Sequence, residues 1–142
     1  MAGAPEMLTL EVATPLGLAL RTKAESVQAP SVAGEFGVLA GHLPLLAALK
    51  AGLLRYRVEG KDHFAAVGHG FVEAGPEKVL LLTDQFALPK DIDLELARKE
   101  LVDAEARLRE LPTEYAGPDY EGIQRAADWA QARIDAVMLD AG

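Results

Sequence analysis

Three histidines, His42, His63 and His69, and two serines, Ser26 and Ser31, are the side chains best suited to chemistry in this chain. Together with Glu35 or Glu73 the histidines could in principle hold a metal ion. Their spacing gives no H-x-H and no H-E-x-x-H, and no carboxylate stands at a signature distance. Neither serine lies in a G-x-S-x-G elbow. Gly68-His69-Gly70 is too short to cradle a phosphate, and no G-x-x-x-x-G-K-[ST] occurs. The triplet reads instead as a tight turn between two strands. With no cysteine, disulfides, thiolate metal sites and cysteine nucleophiles are all excluded. The expectation is no catalytic residue and no metal. A small β-barrel enzyme or ligand carrier using the three histidines is the alternative, and a generic helical-hairpin adaptor is a third reading.

The elements that would position these residues change character near Leu88-Pro89-Lys90. Upstream, polarity alternates with period two. Leu8, Leu10 and Val12 alternate with Thr9 and Glu11, and Leu54, Tyr56 and Val58 with Arg55, Arg57 and Glu59. This is the pattern of half-buried strands. Glu59-Gly60-Lys61-Asp62 reads as a hairpin turn into His63-Phe64-Ala65-Ala66-Val67. Val79-Leu80-Leu81-Leu82 is continuously apolar and predicts a strand buried on both faces. Pro44, lacking an N–H, belongs at a strand edge or start.

Downstream the period is helical. Asp91 is the expected N-cap of a first helix. Leu94, Ala97, Leu101, Ala104, Leu108 and Leu111 form its apolar stripe. Glu95–Lys99, Asp103–Arg107 and Glu105–Arg109 are acid-first i,i+4 pairs on the solvated side. After a link from Thr113 to Pro118, Asp119 can cap a second helix with the stripe Ile123, Ala127, Ala130, Ile134 and Val137. The predicted fold is mixed β plus α. An N-terminal antiparallel β-sandwich spans residues 6–87, and a C-terminal antiparallel two-helix hairpin spans residues 90–140.

The chain has 142 residues and a formal net charge of -8. An acidic balance argues against a nucleic-acid partner and against direct adsorption to anionic lipid. Residues 1–6 show no basic, apolar leader pattern, so no signal peptide is expected. No apolar segment approaches the roughly 18–20 residues of a membrane helix. Any membrane association is expected to run through a partner.

The run Gly34-Glu35-Phe36-Gly37-Val38-Leu39-Ala40-Gly41-His42-Leu43-Pro44-Leu45-Leu46 closely resembles the ε subunit of bacterial F-type ATP synthases. Leu49-Lys50-Ala51-Gly52, Gly70-Phe71-Val72-Glu73, Ile92-Asp93 and Pro118-Asp119-Tyr120 extend the resemblance over nearly the whole chain. It implies a non-catalytic rotor subunit of the central stalk, coupling c-ring rotation to ATP synthesis in the catalytic head. It places the protein peripherally on the cytoplasmic face of the bacterial inner membrane. By the same resemblance, Glu35 would face the c-ring and His42 would lie near γ. The helical hairpin would pack on the sandwich or extend along γ into the α/β head, where it blocks hydrolysis.

The chain departs from that family in three places. The family's ATP-binding pattern I/L-D-x-x-R-A survives only as Ile92, Asp93 and Ala97, because Leu96 stands where the arginine should be. Arg98 is about 200° further round the helix. No cofactor is therefore expected. Residues 118–140 hold Arg125 and Arg133 against Asp119, Glu121, Asp128, Asp135 and Asp140, so electrostatic help for docking on an acidic partner is weak. Arg98, Arg125 and Arg133 are the remaining contact candidates. His69 replaces a glycine usual in the family.

Overall fold

The computed structural model describes residues 6–112 and 117–140. Ten strands come first: β1 (Leu8–Thr14), β2 (Gly17–Ala24), β3 (Ser26–Ser31), β4 (Gly34–Leu39), β5 (Leu45–Leu49), β6 (Gly52–Val58), β7 (Lys61–Val67), β8 (Gly70–Ala74), β9 (Lys78–Thr83) and the short β10 (Phe86–Ala87). A 3₁₀ turn at Pro89–Asp91 leads to α1 (Leu94–Glu110), and α2 (Pro118–Asp140) follows. The helix-to-helix link falls partly on residues 113–116, outside the described residues.

The strands run β10-β7-β6-β3-β5-β8-β9-β1-β2, with β4 on β3. β3 meets β5 through one pair only, Ser31 with Leu49, and there the sheet folds over into two layers. One layer is β10-β7-β6-β3-β4 and the other β5-β8-β9-β1-β2. Every pairing is antiparallel except β1 with β9. Parallel neighbours need a long crossover, here supplied by most of the sandwich itself.

Alternation sends one set of side chains between the layers. Leu8, Leu10 and Val12 of β1, Val72 of β8, and Val79 and Leu81 of β9 meet Val27, Leu54 and Val67 there, all essentially inaccessible to solvent. The β6–β7 turn has Glu59 and Gly60 at φ 51° and 75°, the left-handed pair that a two-residue hairpin requires. Pro44 directly precedes β5, as expected.

Two sequence expectations change. β9 is buried on one face only, with Leu80 half-buried and Leu82 50 % exposed. The strand covered on both faces is β7. Leu54 and Ala65 point into the sandwich, while their neighbours Leu53 and Ala66 point outward under α2. Ala66, Ala132 and Ala136 form this second contact with Leu53, Ile92 and Trp129. Small side chains allow the helix to approach the strand closely. The first helix is capped by Asp93 rather than Asp91, since Pro89 starts a separate 3₁₀ turn that ends at Asp91.

The two helices meet along the expected stripes. Ala104, Ile123 and Ala127 pack with Leu101, Leu108 and Leu111. α2 therefore has two apolar faces, one for α1 and one for β6 and β7, and lies between the sheet and α1. None of the three expected i,i+4 ion pairs on α1 closes within 4 Å among the described residues. Cohesion across the hairpin comes instead from apolar packing and from Arg133.

Candidate partner-binding surfaces

The helices cover the outer face of the β6–β7 layer. The outer face of the other layer stays open. Register places Ala48, Phe71, Leu82, Ala13 and Leu18 side by side across β5, β8, β9, β1 and β2. Phe71 is 59 % exposed, Leu82 50 % and Leu18 59 %. The adjacent outward row is Leu46, Glu73, Leu80, Glu11 and Arg21, with Leu46 72 % exposed. Five neighbouring strands thus present one continuous apolar band, the mark of an interaction surface rather than of scattered surface leucines.

A groove of about 830 Å³ opens beside this band between Pro44–Leu46 and Glu73–Lys78, floored by Leu80. The charges around it are treated differently. Glu11 is paired with Lys78 and, at 3.6 Å, with Arg21. The hydrogen bond from Lys78 holds the Glu11 carboxyl below its ordinary range, aided by the charges of Lys78 and Arg21 against the opposing effect of desolvation. Glu73 has no ion pair among the described residues.

The residues expected to act from sequence lie elsewhere. Glu35 is exposed on β4 and lines a small cavity of about 250 Å³ with Gln28, Leu53, Arg55, Phe64 and Leu139. It therefore sits beside the C-terminal end of α2. The tip of the β3–β4 hairpin next to it carries Val32, 70 % exposed. His42 is half-buried after β4, and its ring nitrogen lies 2.5 Å from the Leu43 carbonyl oxygen. His63 stacks on Tyr56 with ring centroids 5.4 Å apart. His69 lies in a cleft with Tyr120, Glu121, Gln124, Arg125 and Asp128. The fold does not bring the three histidines together.

Gly68 and Gly70 are there for space. A Cβ on Gly70 would stand 1.8 Å from the Leu82 carbonyl oxygen, and one on Gly68 would stand 2.2 Å from an Asp84 carboxylate oxygen. The turn is a site of close strand contact and not a phosphate loop.

Arg133 and Arg98 are occupied within the chain, whereas Arg125 has no hydrogen bond or ion pair among the described residues. Arg133 lies on α2 with its side chain 12 % exposed and donates from Nη2 to Glu100 of α1 at 2.5 Å. Its guanidinium also sits 5.4 Å from the centre of the Trp129 ring, within cation–π range. Arg98 reaches the Met138 sulfur at 3.8 Å. Asp93 accepts the Leu96 N–H as helix cap, Ile92 packs under α2, and Ala97 is fully buried. Each residue of the ATP-motif remnant thus has a structural contact.

Sequence reasoning missed the apolar band and Trp129. The band was readable in part: Phe71 and Glu73 alternate with the buried Val72 and Ala74, which sends a phenyl ring outward. The continuous run in β9 disguised the outward Leu82 as core.

Residues 7–89 match the family described as ATP synthase, Delta/Epsilon chain, beta-sandwich domain. The chain is 39 % identical over 129 residues to an ATP synthase epsilon chain of Syntrophotalea carbinolica, covering 91 % of this chain and 92 % of that one. It is 41 % identical over 130 residues to the epsilon chain of Moorella thermoacetica, covering 91 % and 95 % respectively. In fold it resembles a chain in the cryo-EM structure of the Euglena gracilis mitochondrial ATP synthase, OSCP/F1/c-ring, with TM-score 0.77 at 22 % identity over 97 % of this chain and 87 % of that one.

Proposed function

Because the chain belongs to the family of ATP synthase epsilon chains, we propose that it is a non-catalytic rotor subunit of the central stalk of a proton-translocating F-type enzyme. Its β-sandwich, residues 6–87, joins γ to the c-ring, and its helical hairpin, residues 90–140, regulates. The observation that supports this reading best is the open apolar band of Phe71, Leu82, Leu46 and Leu18, set on the sandwich face opposite the helices. Burial of apolar surface returns about 25 cal/mol per Å², so such a band favours a permanent partner. We assign it to γ.

The tip of the β3–β4 hairpin, with Val32 and Glu35, is the part proposed to meet the c-ring. A single partly exposed carboxylate contributes only about 0–1 kcal/mol there, so shape must supply the rest. Membrane attachment is proposed to run through the ring on its cytoplasmic side, since none of the described helices is long and apolar enough to cross a bilayer.

The hairpin is proposed to rest folded against the sandwich. Ala132, Ala136 and Trp129 seat α2 on Ala66 and Leu53, and Arg133 ties α2 to Glu100 of α1, so extension with the helices separated toward the α/β head must open both contacts. Nucleotide is given no part in the switch, because Leu96 replaces the cation and Asp93 is already a helix cap.

The test is recovery of partners on the tagged chain from detergent-solubilised host membranes. Recovery of γ with α and β is the expected result. A folded chain with an accessible tag that returns no γ overturns the assignment.

A further inference from the structure

The sheet that carries the apolar band neutralises one outward carboxylate and leaves its counterpart bare. Glu11 and Glu73 occupy the same row, two strands apart, with Leu80 between them. Glu11 is met by Lys78 and Arg21. Glu73 stands between Leu46 and Leu80 at the mouth of the groove, two residues from Phe71, and has no cation among the described residues. If an apolar partner simply covered it, the carboxylate would be desolvated and unpaired, which penalises binding strongly.

Resting on the reading of this face as the γ surface, we infer that the γ segment seated here carries one arginine or lysine that pairs with Glu73, and that Glu73 sets the specificity of the contact. Charge complementarity of this kind excludes wrong partners more than it adds raw affinity. The geometry also fixes the spacing. Glu73 and Phe71 are two residues apart on one strand, about 7 Å. A helix laid on the face along β8 matches that with an apolar residue and a cation four positions apart, about 6 Å along its axis. An edge-added strand does not fit, because the row lies on the sheet face.

The experiment is titration of the full-length chain with purified γ from the same enzyme, at low and at high salt, for wild type, Glu73→Gln, Glu73→Lys and Phe71→Ala. Glu73→Gln should bind about tenfold more weakly at low salt and lose most of the salt dependence. Glu73→Lys should bind more weakly still. Phe71→Ala should weaken binding and keep the wild-type salt dependence. Unchanged affinity and salt slope in Glu73→Gln would overturn the inference while leaving γ as the occupant. Absence of wild-type binding would overturn the γ reading itself. Self-association of the wild type that Glu73→Gln abolishes would make a second copy the occupant, and overturn it too. Because Glu73 is exposed, circular dichroism and melting of the variants should match wild type.

Discussion

Replacing Arg133 with Met should loosen the helical hairpin without touching the sandwich. Methionine keeps the apolar stem, so the change isolates the guanidinium. That group makes three contacts, the weakest of them a long hydrogen bond from Nε to the Trp129 carbonyl oxygen at 3.4 Å, which adds little. Its ion pair with Glu100 is 2.5 Å long, but the Glu100 side chain is 44 % exposed, so it is discounted to the upper end of the surface range, about 0.5–1 kcal/mol. The stacking over Trp129 at 5.4 Å adds about 0.5–1 kcal/mol. Together they give about 1–2 kcal/mol, a factor of roughly ten in the opening equilibrium of the hairpin. Native-state hydrogen exchange of the full chain, followed by mass spectrometry, reads this directly. Amides of α1 should lose about tenfold in protection, whereas those of β1 and β9 should be unchanged, because their core shares no residue with the clasp. Glu100→Gln should show roughly half the effect, and the double variant should fall short of the sum. Protection in α1 equal to wild type would refute the reasoning. A loss spread evenly over sheet and helices would refute it as well, since it would mean that the hairpin does not open separately.

Gly70→Ala should be severely destabilising, by about 3 kcal/mol or more, because its Cβ meets the Leu82 carbonyl oxygen at 1.8 Å and β8 must pull away from β9. Gly34→Ala, in open space at φ 121°, should cost only about 1–2 kcal/mol; urea unfolding of the pair checks the order, and a Gly70→Ala chain as stable as Gly34→Ala would refute it. The carboxyls of Asp62, bonded first by Arg55 and also facing Arg57, and of Glu11, bonded by Lys78, are both held below their ordinary range. Their contribution is therefore present above about pH 4.5 and is lost as pH falls through the depressed folded values. The combined Glu11→Gln and Asp62→Asn variant should show a flatter fall of the urea midpoint between pH 5 and 2 than wild type; parallel curves would show that these pairs contribute nothing. Titration calorimetry of the chain with Mg-ATP should give no heat of binding, and saturable submillimolar binding would return nucleotide to the hairpin switch.

How far the sequence could be read depends on how many faces an element buries. Where one face is buried, as in β1 and in β6 beyond Leu53, alternation alone placed Leu8, Leu10, Val12, Leu54 and Tyr56 inside. Where two faces meet neighbours, period ceases to discriminate. β7 reads as an ordinary strand, yet Ala65 faces the sandwich and Ala66 faces α2. β9 reads as doubly buried because its outward leucines, Leu80 and Leu82, look like core leucines in the sequence. α2 shows the same ambiguity, since its stripe toward α1 was plain while Trp129, Ala132 and Ala136, its contact with the sheet, were hidden in a helix rich in alanine. The charged residues failed for a different reason. Arg133 and Asp93 look like free ligands in a linear sequence, and only folding brings Glu100 to the one and the Leu96 N–H to the other. The surface we propose for γ is most visible where a strand carries more apolar side chains than its own core can use. Phe71 and Leu82 are that surplus.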